Sequence, residues 1–195
     1  MANDYDEIRS DEYETATEAA QLGLLLVNTV DEHSHLRADS CRLAYLFRDE
    51  EVARGGKTVW ASAHLVASRP PAGRYWSRFI RWSLVNILGY EPTFLVLIDR
   101  NIWAGLDARQ KLALIDHELM HCSQATDQMG EPRYNQVTGD PIWALREHDI
   151  EEFDSIVTRH GLWKQDLVDS AKVIIEALNH GPALSVPADL QEKGA

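Results

Sequence analysis

The feature that most constrains this chain is the stretch at residues 107–126, DARQKLALIDHELMHCSQAT. No Gly or Pro interrupts it from Asp107 to Gln124, which predicts one continuous helix. Asp107 is placed as its N-cap, and Gln110, three residues on, closes a capping box. Leu112, Ile115 and Leu119, with Leu114 beside them, recur at helical spacing and give the helix an apolar face to bury. His117 and His121 then stand four residues apart, so both rings leave one face, one turn apart. Two imidazole nitrogens so placed can reach one zinc ion at about 2.0–2.1 Å. Glu118, within the same H-E-x-x-H pattern, can take a proton from a water that the ion activates. The plainer alternative is an exposed polar face on which two histidines fall at i, i+4. The capped amphipathic frame around the motif favours the metal.

A catalytic zinc needs a third protein ligand and an open position. The later cluster EHDIEEF offers Glu147, His148, Asp149, Glu151 and Glu152. Asp149 and Glu152 are spaced as a capping box at the start of a helix over residues 149–160, which occupies their oxygens. His148 lies outside that box and is the expected third ligand. Glu151 or Glu152 would instead give a His-His-Glu set. A structural zinc site closes with four protein ligands, usually including Cys. Cys122 follows His121 directly and so points about 100° away from it on the helix, and Cys41 is distant in sequence. An open, catalytic site with Glu118 as general base is therefore expected. The alternative from another class is a non-catalytic, metal-stabilised interaction or scaffold protein.

The formal net charge of −12 argues against a nucleic-acid partner, which would require a basic surface to release counterions. Two cysteines with no CxxC spacing fit a reducing compartment. The acidic N-terminus is unlike a signal peptide, and no apolar run approaches the ~20 residues of a membrane span. A cytoplasmic protein with no membrane partner is the expectation.

Along the chain, residues 1–12 read as an acidic, disordered start and residues 182–195 as a flexible tail, with a single domain over 13–181 between them. Residues 13–30 carry a helical pattern, with Ala16, Ala20, Leu24 and Val27 as its buried candidates. His33 and His35 read as surface-loop histidines, or as an opportunistic metal site. Residues 41–48 and 58–67 read as strands that pair as antiparallel neighbours across a turn at Gly55–Gly56, with His64 as a structural residue. Residues 69–92 are an insertion in which Arg74, Arg78 and Arg81 interleave with Tyr75, Trp76, Phe79 and Trp82. It reads as a helix with its aromatics packed on the sheet and its arginines in solvent, or else as a lid over substrate. Residues 94–100, FLVLIDR, are the most strand-like run in the chain. Two short strands are expected around 138–141, and a last helix at 166–178, ended by residues 179–181. The architecture expected is α+β. A short, mostly antiparallel sheet of about three main strands packs against the H-E-x-x-H helix and further helices.

DHELMHC, preceded by DARQKLALI and followed by HDIEEFDSIVTRHGLW, resembles the putative phage metallopeptidase family. RLAYLFRDEEVARGGKTVWASA is similar to that family's first strand pair and its Gly-containing turn. The resemblance runs from about Ala19 to Trp163. The insertion at 69–92, and a longer loop before His148 with Glu147 in place of a proline, depart from the family's pattern. The resemblance implies a small zincin-like domain of phage or prophage origin; the expected partner of the H-E-x-x-H site is a peptide or protein substrate. By the same analogy, the edge of the strand that leads into the central helix would bind extended substrate.

Overall fold

The computed structural model of the 195-residue chain describes residues 13–38, 40–54, 56–66, 74–148, 162 and 165–181. The chain divides into two compact units, Met1–Arg146 and Glu147–Ala195. The first unit is mixed α+β. Its strands are β1 (Tyr13–Thr15), β2 (Leu43–Arg48), β3 (Ala53–Arg54), β4 (Lys57–Thr58), β5 (Ala61–Leu65), β6 (Phe94–Asp99), β7 (Cys122–Gln124) and β8 (Trp143–Leu145). Its helices are α1 (Thr17–Thr29), α2 (Arg74–Leu88), α3 (Arg100–Gly105) and α4 (Ala108–His121), with a 3-10 helix at Asp31–Arg37. In the second unit, α5 spans Gln165–His180, and Gly181 follows it at φ +73°, the left-handed conformation that ends a helix at low steric cost. Among the described residues, no helix is long and apolar enough to cross a membrane.

The main sheet has four strands in the order β1-β2-β6-β5. It is mixed: β2 and β6 run parallel, while β1 and β5 are antiparallel to their neighbours. The expected direct pairing of residues 41–48 with 58–67 is therefore corrected, because β6 lies between β2 and β5. Strands apolar on both faces belong in the middle of a sheet. All of β6 except Leu97 is buried, and β2 is nearly as well covered, whereas β5 is mostly half-exposed. Residues 58–67 also divide: Thr58 joins the β3–β4 hairpin, where Gly56 sits at φ +75°, and β5 begins only at Ala61. Tyr13–Thr15 forms a strand on β2 rather than the first turn of the helix. Asp99, at the end of β6, pairs in register with Arg48 and forms a buried ion pair with it at 3.5 Å. The guanidinium also donates to the Glu50 and Val59 carbonyls, so the buried charge is not left unsolvated.

Alternation along β2 and β6 gives the sheet two apolar faces. Ala44, Leu46 and Leu95 form one cluster with Leu84 of α2. The opposite face carries Tyr45, Phe94, Val96 and Ile98, and α1 and α4 lie on that side. The buried face of α1 is Ala19, Leu22, Gly23, Leu26 and Val27. Leu24, expected inside, is 65% exposed. Gly23, which by propensity weakens a helix, is what lets α1 approach the sheet. A Cβ there would lie 2.1 Å from Tyr45 Oη and 2.6 Å from its Cζ, and the Tyr45 ring is buried. Gly23→Ala is expected to destabilise the fold by about 1–3 kcal/mol through overpacking. Chemical denaturation would check this, and an unchanged midpoint would show that the ring can move aside.

The insertion forms α2 over Arg74–Leu88, but Phe79 and Trp82 do not pack on the sheet. Leu84 makes the buried contact, while Trp82 is 62% and Phe79 52% exposed. Their rings lie 6.0 Å apart, and Arg81 pairs with Glu91 at 2.5 Å.

Candidate metal centre

The central helix begins as its sequence dictates. The Asp107 side chain accepts from the Gln110 backbone N–H at 2.8 Å, and the Gln110 side chain accepts from Asp107 N–H at 3.0 Å, closing the capping box. Leu112, Ile115 and Leu119 are buried along one face. The helix stops at His121, three residues before the expected end, because Cys122–Gln124 leave it to pair with β8. The pairing of β7 and β8 also moves the expected short strands to Trp143–Leu145, leaving isolated bridges at Thr126–Pro132 and Tyr134–Pro141.

His117 and His121 stand in the last two turns of α4. Their ring centroids are 5.0 Å apart, and their Nε2 atoms approach to 3.3 Å. Two nitrogens at about 2.0–2.1 Å from one tetrahedral ion lie about 3.3 Å from each other, so this spacing suits a shared ion. His121 Nδ1–H donates to the Arg146 carbonyl at 2.7 Å, which leaves Nε2 with its lone pair for a ligand. Arg146 N–H in turn donates to the His121 carbonyl at 2.9 Å. The chain leaving β8 is thus tied to His121 by two hydrogen bonds, and His148 comes two residues later. One ligand atom from each of His117, His121 and His148 lies within 4.8 Å of the other two. These three side chains can hold a metal ion. Glu151 and Glu152, the other expected suppliers, lie outside the described residues, as does the helix expected over 149–160.

Glu118 is 3% exposed, and among the described residues its Oε2 has no hydrogen-bond partner. Burial pushes the carboxyl above its usual range, while His121 and the Ala63 backbone N–H draw it back down. Val66 N–H donates to the Thr93 carbonyl and the Trp60 carbonyl accepts from Asp99 N–H, so in this antiparallel register the Ala63 N–H points away from β6, on the side of β5 that pairs with no strand among the described residues. The expectation that the strand entering the central helix offers a free edge is corrected here. That strand, β6, is flanked on both sides, and the edge beside Glu118 belongs to β5.

Two histidines read as surface residues are structural. His33 is fully buried, with Nε2 2.6 Å from Asp116 Oδ1. His35 Nε2–H donates to the Cys122 carbonyl at 2.8 Å. In a 3-10 helix residues three apart eclipse, so His33 turns inward with Leu36. Neither contact has a signal in the sequence, since 83 residues separate His33 from Asp116 and 87 separate His35 from Cys122. Cys122 is buried and free, with its thiol on the Glu118 carbonyl at 3.5 Å. His64, on β5, shares a hydrogen bond with Ser62 at 2.9 Å.

A family model described as "Putative phage metallopeptidase" matches residues 11–172. No curated protein and no solved structure matches the chain. The matched span takes in α4, its capping box and all three converging histidines, and it covers most of the sequence; the chain belongs to the putative phage metallopeptidase family.

Proposed function

We propose that this protein is a zinc-dependent peptidase of phage or prophage origin with a zincin-like site. His117, His121 and His148 would hold the ion and Glu118 would be the general base. The observation that carries the reading is the convergence of three imidazoles beside a buried carboxylate with one oxygen unpartnered among the described residues. Three nitrogen donors without a thiolate match the open coordination of catalytic zinc better than the closed set of structural sites. When bound, the ion supplies Lewis acidity, polarising the scissile carbonyl and easing deprotonation of the attacking water.

The rest of the chemistry belongs to the protein. Glu118 takes a proton from the water as its oxygen bonds to the carbonyl carbon. The same carboxyl then delivers that proton to the departing nitrogen as the C–N bond breaks, leaving an amine and a carboxylic acid that keeps the water's second proton. Burial of Glu118 keeps bulk water from competing for the proton. The bond from His121 to the Arg146 carbonyl holds that imidazole in the tautomer that can ligate.

The test is metal content and chelator-sensitive proteolysis. Purified protein supplied with zinc should retain about one ion per chain and cut members of a mixed peptide library. A strong chelator should abolish cutting, and added zinc should restore it. Absence of bound transition metal after zinc supply would overturn the reading.

A further inference from the structure

We propose that the 3-10 helix Asp31–Arg37 is the positioning element of the metal centre, with His33 and His35 setting how tightly α4 holds its ion. This rests on the metal-binding part of the reading above. The two contacts bracket the ligand pair in sequence: His33 holds Asp116, the residue before His117, and His35 holds the carbonyl of Cys122, the residue after His121. The last turn of a helix is where hydrogen bonding runs out and the backbone frays. Two ligands at i, i+4 share an ion only while that turn keeps its helical geometry. On one side of it, the His121 carbonyl accepts from Arg146 N–H, which continues the antiparallel register of β7 and β8 by one residue. In that register the Cys122 carbonyl points away from β8, and His35 meets it.

His33 does the complementary work one turn earlier. Its ring is fully buried, and its Nε2–H donates to Asp116, whose side chain is 35% exposed. The other ring nitrogen, Nδ1, is buried with no partner among the described residues. An unmet buried nitrogen works against folding, so an apolar side chain of similar volume would serve a purely packing role at least as well. What the imidazole adds is direction. It fixes the residue before His117, on the flank of α4 next to the one from which His117 projects.

Zinc affinity of the full-length protein, measured by competition with a chelating dye, tests this when read beside thermal unfolding of the metal-free protein. His33→Leu, Asp116→Leu and His35→Leu should each bind zinc about 10–100-fold more weakly. The metal-free melting temperature should not fall in step. Asp116→Asn and His35→Gln, which keep an acceptor and a donor, should recover most of the affinity. If His33→Leu does not fold, Asp116→Leu at the part-exposed end of the same bond carries the test. Unchanged affinity in the leucine variants, with the parent binding zinc, overturns this inference alone. So does a loss of affinity that follows the melting temperature and is not rescued by the asparagine and glutamine variants. A parent that binds no zinc overturns the metal-site reading and this inference with it.

Discussion

Glu118→Gln leaves zinc in place and lowers peptide hydrolysis by on the order of 10²–10⁴-fold, the usual contribution of a positioned general base. Glutamine has nearly the same shape as the glutamate, so the buried space beside His121 stays filled and the three histidines keep their geometry. What the substitution removes is the capacity to accept a proton from water and return it to the leaving nitrogen. The buried carboxylate carries a desolvation cost, with one oxygen unpartnered among the described residues. The neutral amide escapes part of that cost, so the variant should unfold at a temperature no lower than the parent. Zinc content, melting temperature and kcat/KM measured together decide the matter. Full activity with glutamine at this position would remove Glu118 from the mechanism. Loss of zinc would make it part of the metal's own shell.

His121→Ala is expected to cost the most in metal binding. Structural zinc sites in small domains bind with ~10–16 kcal/mol of apparent free energy. One of three ligands therefore represents ~3–5 kcal/mol, or ~10²–10⁴ in affinity. The loss at this position goes beyond one nitrogen, because the same ring donates to the Arg146 carbonyl two residues ahead of His148. His148→Ala removes its ligand but leaves that tether intact, so it should weaken binding less. Zinc titration of the two variants against the parent reads the order directly. Parent-like binding by His148→Ala would exclude it as a ligand and move the third position to Glu151 or Glu152.

The parts of the site legible in sequence are those fixed within one or two helical turns. Asp107 and Gln110 are three residues apart and close the capping box at both bonds. The i, i+4 spacing of His117 and His121 sets their side-by-side projection before any tertiary contact forms. His148 is a partial case: its residue type and its place outside the expected cap spacing single it out. Its approach to the other two histidines depends on the β7–β8 pairing and the Arg146 bonds, which no local pattern encodes.

The sheet shows the same division. Residues 94–99 read as a strand from composition alone, because a short continuous apolar run has few other stable fates. Their central position, parallel to β2 and between β2 and β5, results from competition among segments for burial on both faces. That competition made β5 the outer strand of the described sheet, beside Glu118. It also drew Tyr13–Thr15 into the sheet and left Phe79 and Trp82 exposed on α2. Helical periodicity placed a stripe on α1 but did not centre it, since the choice between Leu24 and Gly23 for the inner face rests on the Tyr45 ring across the gap. His33 and His35 lie further still from local rules. Their partners are Asp116 and the Cys122 carbonyl, more than eighty residues away, so only the folded chain could tell these two histidines from surface ones. By itself the sequence determined the helix, its start and the pair of rings on one face, because hydrogen-bond geometry and helical pitch act over a few residues. The tertiary structure alone decided which strand, which third histidine and which flanking histidines meet that helix, because those contacts follow from how distant segments share a limited buried space.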